Sequence, residues 1–220
     1  MNISVKEQQF RLREALILDA VNTLLSSKGF DAMTMDDVAH AVGIGKPSLY
    51  KHFASKEQLA AAAMARVLER ALNVARAQPA EAAPIDKLRA VLRWALEQHA
   101  ADAMPLLPSI RSSLREALLN YPPYVQRLEE LAAILSAWIE QAQRQGQMVE
   151  LPAEVVLYTL FARTCDPVLE YLRLGGAFSD AQIVDFLLAT TFDGLRWRDM
   201  ACARDDLSTM ENRDDRVSRT

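Results

Sequence analysis

Prolines and a shortage of glycine constrain this sequence most, because they divide it into helices. The 220 residues contain only 7 glycines, and the segments between prolines are rich in Ala, Leu, Glu, Gln and Arg, which favour helix. Proline is tolerated in the first turn of a helix and disrupts its interior. Helices are therefore predicted to begin at the following prolines: Pro47, Pro84, Pro105 with Pro108, Pro122 with Pro123, and Pro152.

Capping residues and glycines supply the other helix boundaries. An apolar repeat predicts a first helix over residues 8–28, ended by Gly29. Thr34 is a predicted N-cap for a short second helix that stops at Gly43. Ser55 and Ser179 are predicted to cap the fourth and the last helix. The later helices are predicted over residues 56–78, 84–102, about 105–120, 122–145, 152–174 and 180–200.

These boundaries predict an all-α protein of about nine helices with no strands. Three helices over residues 1–55 form a small N-terminal head, and residues 56–203 form a larger helical body. Residues 204–220 have little apolar surface to bury, so we expect a disordered tail there. Pro167 lies inside the predicted helix 152–174, where it should free the carbonyl of Arg163 and bend the helix.

Composition is that of a globular protein and excludes several classes. Hydrophobic residues make up 50% and charged residues 25% of the chain. The N-terminus lacks the apolar stretch of a secretory signal, and no run approaches the ~18 apolar residues that span a bilayer, so a cytoplasmic protein without a membrane partner is expected. Cys165 and Cys202 form no pair with metal-ligand spacing, so no metal site and no cofactor are predicted.

The most informative segment is Gly29–Leu59, which has the pattern of a helix-turn-helix. Ala39 is small where the crossing helix must approach closely, and Gly43 supplies the positive φ that the turn requires. Leu49 is placed to pack the third helix onto the second. With Leu49 and Phe53 turned inward, the outer face of the third helix carries polar and cationic side chains.

Local charge decides whether this face suits DNA, because the net charge of the chain is −4. Residues 1–58 contain as many basic as acidic residues, 7 of each. Lys46, Lys51 and Lys56 are nevertheless the charged residues of the stretch 38–56, near the starts of two helices whose amides attract phosphates. A nucleic-acid partner is therefore compatible with the acidic total.

The stretch from Thr34 to Leu59 resembles the DNA-binding signature of the TetR family of regulators. The match is closest in Leu49-Tyr50-x-His52-Phe53-x-x-Lys56-Glu57-x-Leu59. The resemblance implies that Lys46, Pro47 and Ser48 approach base edges in the major groove. It implies phosphate contacts for Tyr50, Lys51, His52, Lys56 and Thr34. Gly45-Lys46-Pro47 departs from the family, which commonly has a serine cap and a small residue there.

The last two helices are predicted to form a homodimer interface. The helix 179–202 is apolar around much of its circumference, which is typical of burial against both its own body and a second surface. The family resemblance implies the same role for the helices at about 152–175 and 179–202. A dimer would set two recognition helices about 34 Å apart, matching a palindromic operator.

A small-molecule site is predicted in the body, where aromatic, sulfur-containing and a few polar residues recur. The candidate ligand contacts are Trp94, His99, Met104, Arg111, Tyr124, Trp138, Tyr158, Phe161, Arg163 and Cys165.

The sequence thus predicts a ligand-responsive repressor that binds double-stranded operator DNA and is released by a largely apolar effector. One alternative is a DNA-binding regulator or architectural protein without an effector. A helical enzyme is the other, although the chain has none of the common nucleophile, zinc or phosphate-loop motifs, and no catalytic residues are predicted. His99 near Glu97 is the nearest approach to an acid and base pair.

Overall fold

The computed structural model describes residues 4–105 and 113–195, and all regular structure in these ranges is helical. The helices are α1 (Val5–Ala32), α2 (Met35–Val42), α3 (Lys46–Leu49), α4 (Lys56–Arg76), α5 (Pro84–Ala100), α6 (Ser113–Leu119), α7 (Pro122–Arg144), α8 (Ala153–Arg163), α9 (Val168–Gly175) and α10 (Asp180–Leu195). The all-α prediction is confirmed. The predicted tail over 204–220 lies outside the described residues, as does the predicted start of the helix at 105–120 beyond Pro105.

The boundaries of the first helices follow the predicted capping residues. Gly29 interrupts α1 with a φ of 75°, and one further turn follows it. Thr34 caps α2 through its hydroxyl, and Gly43 ends α2 in the left-handed conformation with φ 71° and ψ 33°. Ser55 caps α4 by accepting a hydrogen bond from the amide of Gln58 at 3.1 Å. Local capping chemistry therefore fixes the chain path through the head.

The helix predicted over 152–174 is two helices, so the described ranges contain ten helices where about nine were expected. Pro167 lacks an amide hydrogen and ends the regular ladder, as the sequence indicated. The break is wider than the predicted bend, because four residues that include Asp166 separate the end of α8 from the start of α9. The amide of Asp166 lies 3.4 Å from the carbonyl of Arg163, and its carboxylate accepts from the amide of Val168 at 3.0 Å.

Two apolar clusters divide the described residues into a head and a body. The head cluster joins α1, α2 and α3 to the first half of α4, to α6 and to the start of α7, and it includes Leu49 and Phe53. The body cluster joins the second half of α4 to α5, α7, α8, α9 and α10. Helix α4 thus belongs to both clusters, and the predicted boundary at residue 55 cuts the chain just before the helix that connects them. No helix in the described ranges is long and apolar enough to cross a membrane.

Candidate DNA interface and effector cavity

The turn between α2 and α3 is held by the backbone of α2. The amide of Gly43 donates to the carbonyl of His40 at 3.1 Å, and the amide of Ile44 donates to that of Ala39 at 3.0 Å. No atom lies within 4 Å of a Cβ built on Gly43, so its positive φ, not crowding, is the reason for glycine here. The turn delivers the chain to Gly45, which precedes α3.

Helix α3 is a single turn whose inner and outer sides differ sharply. Leu49 is fully buried, while Lys46, Pro47, Tyr50 and Lys51 are exposed, with Tyr50 47% accessible. Ser48, the third residue predicted to approach base edges, is half-buried. Five of the predicted DNA-contacting residues therefore lie together on or beside one short helix.

Lys46 forms an ion pair on the outer side of the head. Its Nζ lies 2.8 Å from Oδ2 of Asp36, at the start of α2. This hydrogen bond and the negative charge of Asp36 raise the pKa of Lys46. The ion pair therefore holds the ammonium group beside the start of α2.

Thr34 is tied into the start of α2. Its hydroxyl accepts from the amide of Asp37 at 3.1 Å and donates to Oδ2 of Asp37 at 2.8 Å. The same carboxylate accepts from the amide of Thr34 at 2.9 Å and from Nζ of Lys28 at 3.0 Å. The Lys28 hydrogen bond, followed by those from Thr34, lowers the pKa of Asp37 to about 2.

Lys56 connects the start of α4 to the end of α1. Its Nζ donates to the carbonyl of Phe30 at 3.0 Å and lies 4.2 Å from the centroid of the Phe30 ring. The ammonium group therefore has a carbonyl and an aromatic face as partners within the protein. This contact closes the head around α2 and α3.

His52 is covered by the first half of α1. Its side chain is only 3% exposed and stacks on Phe10 with 4.1 Å between the ring centroids. Nδ1 lies 3.6 Å from Oε1 of Glu14 and has no hydrogen-bond partner. Sequence reasoning missed Phe10 and Glu14, because they precede His52 by about 40 residues and carry no local signal for this contact.

A cavity of about 130 Å³ lies in the body between α4, α5, α7 and α8. Five of the predicted ligand contacts line it: Trp94, Met104, Tyr124, Phe161 and Cys165. The remaining lining residues are Met64, Val67, Leu68, Ala71, Leu88, Val91, Leu92, Ala95, Pro105, Leu128, Leu131, Leu135, Leu160 and Thr164. None of these was predicted as a ligand contact, because an aliphatic residue that faces a cavity has the same helical spacing as one in solid core.

Four other predicted ligand contacts lie outside the lining. His99 is buried, with Nδ1 2.7 Å from the carbonyl of Thr164 and Nε2 3.7 Å from Glu170. Trp138 faces Nζ of Lys87 at 5.8 Å, Tyr158 is 63% exposed, and Arg163 pairs with Asp166. Arg111, the fifth, lies outside the described residues.

The body also exposes several large apolar side chains along its last three helices. We refer to the following residues as the α8–α10 face: Leu151, Val155, Tyr158, Val168, Tyr171, Leu174, Phe178 and Phe186. Tyr171 is 71% and Leu174 83% accessible. Phe178 and Phe186 make an edge-to-face contact with 5.2 Å between ring centroids, so these two side chains of the face pack against each other.

Residues 17–63 match the sequence model of a family described as bacterial regulatory proteins, tetR family. This stretch, which holds α2, α3 and the start of α4, is similar to the TetR family. The same region is 51% identical over 43 residues to the biofilm operon icaADBC HTH-type negative transcriptional regulator IcaR of Staphylococcus aureus. That match covers 20% of this chain and 23% of IcaR, so less than a quarter of the relative is spanned.

Solved structures extend the likeness beyond residues 17–63 to the body. The fatty acid degradation regulator FadR from Bacillus halodurans has a TM-score of 0.65 and 20% identity, over 84% of this chain and 97% of FadR. AibR, solved in complex with isovaleryl coenzyme A and operator DNA, has a TM-score of 0.53 and 18% identity, over 82% of this chain and 98% of AibR. At these identities the likeness shows the fold of the chain.

Proposed function

We propose that this protein is a transcription repressor that binds a palindromic operator as a homodimer and is released by a small, largely apolar effector. The observation that carries the proposal is α3, a helix anchored by Leu49 whose other side displays Lys46, Tyr50 and Lys51 to solvent. That display lies in the domain that matches the TetR family. The partner is DNA, so the protein acts in the cytoplasm, and we assign it no catalytic activity.

The residues on and beside α3 make two kinds of contact with DNA, one with base edges and one with phosphates. Lys46, Pro47 and Ser48 lie at the start of α3 and approach base edges in the major groove. Tyr50 and Lys51 follow at its end and hold phosphates. Phosphate contacts of Thr34, His52 and Lys56 stay predictions. The hydrogen bonds and packing of these three side chains within the head also position α3.

The α8–α10 face supports the proposed homodimer. Large apolar patches are rare on monomers and mark interaction surfaces. The face lies on the helices for which the sequence predicted dimerisation, at about 152–175 and 179–202. A Tyr171→Glu variant should shift the protein to monomer in analytical ultracentrifugation. Leu119→Glu is the matched control, because Leu119 is 54% exposed on α6, away from this face.

The DNA-binding proposal is tested with duplexes that the wild-type protein selects from a random pool. Binding measured by fluorescence anisotropy should weaken steeply with salt, with a slope of log K against log salt of about −5 to −8 for a dimer that neutralises several phosphates. Lys51→Ala should make this slope less steep by about 1 to 2, since each protomer loses one phosphate contact.

The matched control is Arg144→Ala, which removes one cation from the end of α7 that lies in the body. It should leave both the affinity and the salt slope unchanged. Ser48→Ala should instead change which duplexes are preferred, with a smaller effect on the salt slope. A protein that selects no duplex and ignores DNA at low ionic strength would refute the proposed function.

A further inference from the structure

The cavity in the body is the strongest unexplained feature, because every described side chain that lines it is uncharged. Three aromatic rings contribute to the walls, those of Trp94, Tyr124 and Phe161. Met64 and Met104 add thioether sulfurs, which make favourable contacts with aromatic rings. Such walls suit an aromatic occupant.

Charge restricts the occupant further. An ionised group inside this cavity would lose its hydration, and the described lining has no cation or anion to replace it. The nearby Arg70 is engaged elsewhere, because its guanidinium group bonds Gln98 and lies 5.7 Å from the Trp94 ring centroid on the side of α4 and α5. A carboxylate or phosphate is therefore a poor occupant.

Size gives a second restriction. The cavity volume is about 130 Å³. A buried apolar cavity of about 150 Å³ is large enough to bind benzene. The space therefore fits one ring with a short substituent, and a long acyl chain exceeds it.

The polar groups in the wall show where a ligand can form a hydrogen bond. The Thr164 hydroxyl already donates to the carbonyl of Phe161 at 2.7 Å, and His99 occupies the carbonyl of Thr164. Tyr124 lines the cavity and is only 7% exposed. Buried tyrosine hydroxyls usually find a partner. Burial also raises the pKa of Tyr124, so the hydroxyl keeps its proton and remains a donor.

We propose that the effector is a neutral molecule of about one aromatic ring, carrying one hydrogen-bond acceptor that pairs with the Tyr124 hydroxyl. This inference rests on the proposed function only in taking the cavity as the effector site.

Four probes test the ligand class by isothermal titration and by thermal shift. Acetophenone has a ring and a carbonyl acceptor, ethylbenzene has a similar shape without the acceptor, benzoate has a negative charge, and isovaleryl coenzyme A represents the acyl-coenzyme A class. Acetophenone should bind most tightly, about 3- to 10-fold better than ethylbenzene, as one net hydrogen bond predicts. Benzoate and isovaleryl coenzyme A should not bind. Binding of either anion in preference to acetophenone, or no binding of any probe, overturns the proposal.

Tyr124→Phe is the decisive variant, because it removes the hydroxyl and keeps the ring. It should abolish the preference for acetophenone over ethylbenzene and leave ethylbenzene affinity unchanged. A variant that keeps the preference overturns the role of Tyr124.

Operator release separates the two proposals. Release of the selected duplex by acetophenone, lost in Tyr124→Phe, supports the ligand class and the effector role together. Tyr124-dependent binding without release supports the ligand class and refutes the effector role. Failure of the wild-type protein to select any duplex refutes the proposed function and leaves the probe binding as an independent result.

Discussion

Replacing Leu49 by alanine tests whether one buried side chain holds the recognition helix in place. Helix α3 has four residues, too few to be stable alone, and Leu49 is its only buried residue. Leu49 is 0% exposed, so its truncation should cost about 2–5 kcal/mol of unfolding free energy. That is a large part of the about 5–15 kcal/mol by which domains are stable.

The same loss sets the expected effect on DNA binding. In the variant, contacts with DNA must supply the free energy that Leu49 contributed to docking α3. A loss of 2 kcal/mol corresponds to about 30-fold in affinity, so operator affinity should fall by at least about tenfold. Urea unfolding followed by circular dichroism measures the stability, and anisotropy with the selected duplex measures the affinity. The unfolding midpoint and the affinity should fall together.

Leu16→Ala is the matched control for this experiment. It removes the same atoms from the same head, but Leu16 is 62% exposed on α1. Its unfolding free energy should stay within about 0.5 kcal/mol of wild type. If Leu49→Ala is as stable and binds as tightly as Leu16→Ala, the helix is held by other contacts and the account of α3 given above is refuted.

Three further predictions concern the surface of the head. Thr34→Ala removes the cap of α2 and should cost about 1 kcal/mol in urea unfolding, whereas Thr34→Ser should cost less because serine keeps the hydroxyl. The pKa of Asp37 is lowered to about 2 from the usual 3.8, so its ionised form stabilises the fold above pH 4 and that contribution is lost as the pH falls from about 4 to 2. The stability difference between wild type and Asp37→Asn should shrink over this range, and a constant difference would show that the charge is irrelevant. Asp36→Asn frees the ammonium group of Lys46 and should strengthen binding to the selected duplex, opposite to Lys46→Ala; equal effects would contradict the ion pair.

The architecture of the head was predictable because its signals are local. Thr34, Gly43, Pro47 and Ser55 each fix a helix boundary through their own hydrogen bonding or backbone preference. The inward position of Leu49 followed from helical spacing. Contacts between distant segments carried no such signal, which is why the packing of Phe10 on His52 appeared only in the structure.

The cavity was predictable only in part, for a physical reason. Aromatic and sulfur-containing residues stand out in a helix, and five of those named from the sequence line the cavity. Cavity walls also need aliphatic residues such as Val67 and Leu131, whose patterns match those of any buried helix. His99 was predicted to contact ligand because it is polar, but its Nδ1 is engaged in a hydrogen bond with the carbonyl of Thr164.

Helix α4 provides the mechanical link that a ligand-responsive repressor requires. Its 21 residues contain no glycine or proline at which the helix would bend. Met64 belongs to the head cluster and also lines the cavity. Arg66 fixes α4 to α1, with Nη1 2.6 Å from the carbonyl of Ala15, and Glu69 fixes it to α7, with Oε2 2.5 Å from Nε of Arg127. A molecule that displaces Met64 therefore moves a stiff helix that carries the head with it.

The effect of that movement depends on symmetry and on affinity. In a dimer joined through the α8–α10 face, a rotation of α4 changes the distance between the two copies of α3, which must match successive major grooves. A ligand alters DNA binding only if it binds one spacing more tightly than the other. By the same linkage, operator DNA must weaken effector binding by the factor by which effector weakens DNA binding. Equal acetophenone affinity with and without the selected duplex would therefore exclude this coupling, whatever the two separate affinities are.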